Sequence, residues 1–117
     1  KIIHKYGKKR PDTGVTWKGL FIKANEGDEV YAIAKGKVVF SDWLRGFGNI
    51  IILDHGEGYM SLYGNNESLL IQQGVIVKGG QAVAIVGNSG GNESNGLYYE
   101  LRKNSKPFNP LSWTTLK

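Results

Sequence analysis

Glycine interrupts this chain at short intervals, and that spacing argues against long helices before any other property is considered. Seventeen glycines and three prolines punctuate the sequence, and the segments between them carry no sustained 3.6-residue apolar period. Those segments are rich in Val, Ile, Tyr and Phe: "EVYAIA" (29–34), "KVVFSD" (37–42), "NIIILD" (49–54), "YMSLY" (59–63), "AVAIVG" (82–87) and "LYYELR" (97–102). β-Branched and aromatic side chains pack well on a pleated surface, so each run reads as a strand. "KGK" (35–37) and "DHGEG" (54–58) read as hairpin connections, because glycine accepts the positive φ of tight turns. "NESLL" (66–70) reads as one short helical turn capped by Asn66. The expected fold is mainly β, a single compact domain of antiparallel sheets with little helix.

A chain of 117 residues is expected to form one domain around one modest core. It starts at Lys1 without methionine, so it is expected to be a fragment or a processed product. No apolar run approaches transmembrane length and no signal peptide occurs in this stretch, so any export signal or tether is expected outside it. The lack of cysteine removes disulfides, zinc knuckles and thiol catalysis together. The formal net charge is +5, and Lys5, Lys8, Lys9 and Arg10 concentrate part of it. Residues 1–10 are therefore assigned to a basic arm or linker and 11–117 to the domain. Such charge suits a solvated surface, or an anionic partner such as an acidic protein face or the cell-wall polymer. Nucleic acid ranks last, for want of a recognition helix or an RNA-binding aromatic signature.

"NEGDEVYAIAKGKVV" and "QQGVIVKGGQAVAIVG" faintly echo each other, each pairing a glycine turn with a strand and a second glycine turn. Lipoyl and biotinyl carriers show such repeats, but neither Lys35 nor Lys78 has a carrier's flanking residues. Only His4 and His55 are available for imidazole chemistry. His55 has Asp54 beside it, yet neighbours on a strand point to opposite faces, which keeps the two out of one ligand sphere. The expectation is a histidine that fixes a turn through a hydrogen bond. No serine lies in a G-x-S-x-G elbow. "GNSGGNESNG" (87–96) lacks the Lys-Ser/Thr of a phosphate loop and reads as a mobile surface loop beside a groove. Glu26/Asp28 and Asp54/Glu57 read as turn chemistry.

Aromatic and cationic residues stand out instead: Trp17, Lys18 and Phe21, then Trp43, Arg45 and Phe47, then Tyr63, Tyr98, Tyr99 and Arg102. On a strand Tyr98, Glu100 and Arg102 share one face while Tyr99 faces the other way. Clusters of this kind serve as core or as the hot spots of a protein-binding groove.

Nearly the whole chain, from about Lys9 to about Trp113, resembles the LytM-type zinc endopeptidase domain of cell-wall hydrolases, a lysostaphin-like fold with a central groove. Its members share an H-x-G-x-D strand, a G-x-V hairpin, an HG-x-G turn, Y-x-H, a V-x-x-G-Q turn and H-L-H-F-E. Here "WKGLF" stands at H-x-G-x-D, placing Trp17 at the histidine and Phe21 at the aspartate. "YGN" leaves Asn65 at the Y-x-H histidine, and "GLYYE" puts Gly96 and Tyr98 at both histidines of H-L-H. His55 falls on the HG turn, which is not a ligand in the family. No histidine follows His55, so a shifted register does not restore the set. Tryptophan, phenylalanine and neutral tyrosine offer zinc nothing, so the resemblance implies a pseudoenzyme with no catalytic residue, no metal and no other cofactor.

Within the family, this combined loss resembles the murein hydrolase activators. That implies a partner-binding groove lined by Trp17, Phe21, Phe47, Ile50, Tyr63 and Tyr98, with Lys18 and Arg102 at its edge. The implied partner is an N-acetylmuramoyl-L-alanine amidase, switched on for septal peptidoglycan splitting and daughter-cell separation. An upstream coiled coil outside this stretch is implied to link to the FtsE–FtsX complex, in the periplasm of a Gram-negative bacterium at the division site. Peptidoglycan itself is a second candidate ligand. A wall-binding module without amidase activation and an atypical hydrolase are the competing readings.

Overall fold

Ten strands make up the secondary structure of the computed structural model, which describes residues 2–4, 20–88, 96–104 and 106–108. They are β1 (Ile2–His4), β2 (Leu20–Lys23), β3 (Glu29–Tyr31), β4 (Gly36–Leu44) and β5 (Gly48–Gly56). β6 (Tyr59–Leu69), β7 (Ile76–Val77), β8 (Ala82–Val86), β9 (Gly96–Lys103) and β10 (Lys106–Phe108) follow. Neighbouring strands pair antiparallel in the order β1-β2-β9-β6-β5-β4-β7, with β10 folded back on β9. β3 pairs with β8, which joins the rest through β6. No helix occurs among the described residues.

Each of the six β-rich runs overlaps a strand, although β3 ends at Tyr31 and Ala32 to Ala34 lie outside it. The "DHGEG" turn is a hairpin connection: Gly56 pairs with Tyr59, and Glu57 and Gly58 take φ of 54° and 84°. Two left-handed residues in succession define the turn whose twist matches the flanking strands. The other two turn readings are corrected. "KGK" joins no hairpin, because β3 and β4 do not pair with each other, and Ala32 to Lys35 instead crosses from the β3–β8 pair to the main sheet. "NESLL" is not helical but continues β6. The Asn66 side chain is buried and donates to the carbonyls of Asn49 (3.1 Å) and Tyr63 (2.8 Å), so it ties β6 to β5 rather than capping a helix. The internal echo falls on β3–β4 and β7–β8, and β3 pairs with β8 while β4 pairs with β7.

One face of the main sheet packs beneath the β3–β8 pair. Ile51, Leu53, Tyr63, Tyr99 and Leu101 project from it to meet Val30, Val83, Ala84 and Val86. Burial of each large apolar side chain contributes about 1.5–3 kcal/mol, which makes this layer the main source of stability. It also contains a polar line. The His55 Nδ1 donates to the Lys35 carbonyl at 2.9 Å, and its Nε2 lies 2.6 Å from Ser61 Oγ. Ser61 Oγ hydrogen-bonds the Tyr63 hydroxyl at 2.8 Å, and that hydroxyl accepts the Ile33 N–H at 3.1 Å. His55 thus pins the β3–β4 crossover through both ring nitrogens, as expected of a histidine that fixes a turn.

Burial pushes the Tyr63 phenol up to about 12, against the smaller opposing pull of its hydrogen bonds to Ser61 and Ile33. The folded state therefore holds this proton more tightly than the unfolded chain does. Its contribution is complete below the unfolded value near 10 and is lost as pH rises from about 10 to about 12. Tyr63→Phe is expected to flatten that alkaline loss while lowering neutral-pH stability by about 1–2 kcal/mol through two missing hydrogen bonds. Urea unfolding at neutral and alkaline pH measures both, and an unchanged alkaline slope would assign the loss to another group.

Candidate functional site

β2, β9 and β6 lie side by side, so Phe21 pairs with Tyr98 and Tyr98 with Gly64. Residues directly opposite each other share a face, and alternation carries that face along β9 through Glu100 and Arg102. It is the face turned away from the Tyr63–Tyr99 core. Phe21 is 2% exposed and Tyr98 6%, and Phe47 packs against both. The Phe47 and Tyr98 rings have centroids 5.5 Å apart at 53°. The β4–β5 hairpin loop brings Phe47 there: its N–H donates to Leu44 O at 2.9 Å, and its carbonyl accepts Asn65 N–H at 2.7 Å. Asn65 takes φ of 64°, which turns the end of β6 toward that loop.

Gly96 explains how the cluster fits. A Cβ at this position would lie 2.6 Å from the Ile22 carbonyl oxygen and 2.8 Å from two ring carbons of Phe21. The Phe21 ring occupies the space that a side chain on residue 96 would need. Below the aromatics runs a polar chain. Tyr98 Oη donates to Glu100 Oε2 at 2.7 Å, and Arg102 Nε donates to Glu100 Oε1. The Glu100 side chain is 1% exposed and that of Arg102 31%, so the chain leads from a buried phenol through a buried carboxylate to a cation at the surface. Trp43 and Leu44, on the strand entering the Phe47 loop, are 56% and 40% exposed.

The structure brings together Phe21, Phe47, Asn65, Gly96, Tyr98 and Arg102. Ile50 is fully buried and, by alternation with the core residue Ile51, turns toward the same side. Tyr63 does not join them. It pairs with Tyr99, lies with its ring tilted 39° against that of Tyr99 at 5.7 Å and belongs to the main core, so its place in the groove lining is corrected. Trp17 and Lys18 lie outside the described residues, as does most of the "GNSGGNESNG" loop. Glu100 was missed as a site residue. The signal was the i, i+2, i+4 spacing of Tyr98, Glu100 and Arg102, which strings phenol, carboxylate and guanidinium along one face.

These residues do not fit a metal ion. No group of three or more His, Cys, Asp or Glu able to hold one occurs among the described residues, and an aromatic ring fills the centre.

The family model for peptidase family M23 matches residues 15–110, and the chain belongs to that family. Its relatives include the murein hydrolase activator EnvC of Escherichia coli K12, 45% identical over 111 residues that cover 95% of this chain and 26% of that protein. The murein hydrolase activator NlpD of the same organism is 38% identical over 97 residues, 82% of this chain and 25% of that protein. The chain thus spans about a quarter of the length of these curated relatives. Among solved structures, the catalytic domain of lysostaphin from Staphylococcus simulans superposes with a TM-score of 0.90 at 27% identity, covering 97% of this chain and 90% of that one. A zinc-containing peptidase from Vibrio cholerae gives 0.89 at 26% identity over the whole chain and 37% of its own. The peptidase fold is therefore retained, and the strongest sequence likeness quoted is to an activator.

Proposed function

We propose that this domain is a non-catalytic activator of periplasmic N-acetylmuramoyl-L-alanine amidases in septal peptidoglycan splitting. The observation that carries this reading is the buried Phe21–Tyr98 pair with Phe47 packed on it, Phe21 and Tyr98 being two of the positions that the family resemblance assigns to metal-dependent chemistry. The likeness to two murein hydrolase activators supports it. The buried aromatics form a rigid floor, and Phe47 and Leu44 offer apolar surface at the hairpin end of the same face, with the Arg102 cation farther along β9. An amphipathic helix of the amidase suits such a surface, with its apolar stripe against the hairpin and its acidic residues toward Arg102. Where that helix blocks the amidase active site, capturing it favours the open enzyme. A differential affinity of a few kcal/mol suffices for a large shift. In this reading an upstream coiled coil connects the domain to FtsE–FtsX at the division site of a Gram-negative cell.

Dye release from labelled peptidoglycan tests the proposal. The domain alone is expected to release nothing, and added to a periplasmic amidase it is expected to raise release strongly. Leu44→Ala, at an exposed position on that face, is expected to weaken that activation about tenfold without changing the melting temperature. Release by the domain alone, stopped by a chelator, would make it an enzyme. No effect on any amidase, with retention on purified cell wall, would make it a wall-binding module.

A further inference from the structure

Among the described residues, the opposite side of the molecule carries an uncovered strand edge beside an apolar cavity. Among the described residues β3 pairs only with β8. Asp28 O accepts Val86 N–H at 2.8 Å and Ala32 N–H donates to Gln81 O at 2.9 Å, so the even-numbered backbone groups of this segment face β8. Alternation turns the amides and carbonyls of Glu29 and Tyr31 the other way. The next odd residue confirms the direction, since Ile33 N–H points at the Tyr63 hydroxyl of the main sheet. On that side a cavity of about 270 Å³ opens between β3 and the β2–β9 pair, walled by Ile22, Val86, Leu97 and Tyr99. Glu29 and Tyr31 stand at its mouth, Tyr31 54% exposed with its hydroxyl donating to Glu29 at 3.1 Å. Asp28 also lines the opening, and Glu26 is one turn away.

Proteins usually blunt a free edge with a charge or cover it. Here the charge is present, but among the described residues nothing covers the apolar cavity next to it. The features specify one kind of occupant. Backbone donors and acceptors at strand spacing call for another extended backbone, the cavity for one large apolar side chain, and the carboxylates for Lys or Arg on either flank. The acidic rim is a local exception on a chain of net charge +5, so it selects against the anionic ligands that the rest of the surface attracts.

We infer that the β3 edge is a second docking site, which takes an extended basic peptide segment of a protein partner as an added strand with an apolar anchor in the Leu97–Tyr99 cavity. This site lies apart from the aromatic groove and does not depend on the amidase reading.

Titrating the ¹⁵N-labelled domain with Ac-Lys-Val-Leu-Val-Lys-NH₂ and with its Glu-flanked counterpart tests the inference by NMR. The basic peptide is expected to shift the amides of Glu29, Tyr31 and Leu97 saturably, with affinity about tenfold above that of the acidic peptide and falling as salt rises. Glu29→Lys, an exposed change that leaves the fold intact, is expected to remove that preference while amidase activation stays unchanged. Leu97→Trp, which fills the cavity, is expected to abolish the shifts. Equal binding of the two peptides, shifts centred on Phe47 and Tyr98 instead, or no saturable shift would each overturn the inference.

Discussion

Gly96→Ala is expected to lower stability by about 3 kcal/mol, although it adds a single methyl group. The cost follows from what the methyl meets. Its carbon lands 2.6 Å from a backbone oxygen of the neighbouring strand and 2.8 Å from the Phe21 ring. The ring can shift a little, but the Ile22 carbonyl is fixed by β2–β9 pairing, so the strands must part. Gly46→Ala is the control: φ there is 90° with nothing within 4 Å, so only backbone strain of about 1 kcal/mol applies. Thermal unfolding should place the two variants about 10 °C and a few degrees below the parent. A Gly96→Ala variant that melts with the parent would show that β2 and β9 can separate freely. Shortening Phe21 in the same chain should recover only part of the loss, because the closer contact is with backbone. The same contact bars a histidine at position 96, so a zinc site cannot be rebuilt here by side-chain replacement alone.

Arg102→Ala is expected to cost about 2–4 kcal/mol, because it strips the cation from a buried carboxylate. Glu100 is 1% exposed and its two oxygens are held by Tyr98 and Arg102. Water reaching the partly exposed Arg102 position keeps the cost below that of a fully enclosed pair. Glu100→Leu added to Arg102→Ala should restore much of the stability, since no buried charge then lacks a partner. That double variant separates two roles of Arg102. Regained stability with amidase activation still lost would mark the guanidinium as a contact for the partner; recovery of both would mark it as scaffolding only. Urea unfolding read beside dye release distinguishes these outcomes.

Much of this was legible in the residues. Glycine-bounded runs of Val, Ile and Tyr marked β3, β4, β5, β6, β8 and β9, and motif positions marked Phe21, Asn65, Gly96 and Tyr98. β1, β2, β7 and β10 escaped because none exceeds four residues and none lies in a longer apolar run. Tyr63 was misplaced for a different reason. The parity of one strand is visible in its own sequence, but which residue lies opposite which depends on register, and β6 sets Tyr63 against Tyr99 rather than Tyr98. Burial was likewise invisible. An aromatic at a motif position looks the same on paper whether it lines an open groove or, like Phe21, is buried. Asn66 misled because asparagine before a polar stretch is a cap signal, while here its amide spans two strands.

The strand order has a consequence for how the molecule comes into being. β9 sits between β2 and β6, so an early segment can complete its pairing only with a late one. Such distant pairing makes folding slow, in the range of about milliseconds to seconds for nonlocal β topologies. Phe21 finds its neighbour only after Tyr98 has been made and threaded between the two waiting strands. A nascent or truncated chain ending before β9 therefore has hairpins but no aromatic floor, and the Phe21–Tyr98 pair exists only once β9 is in place.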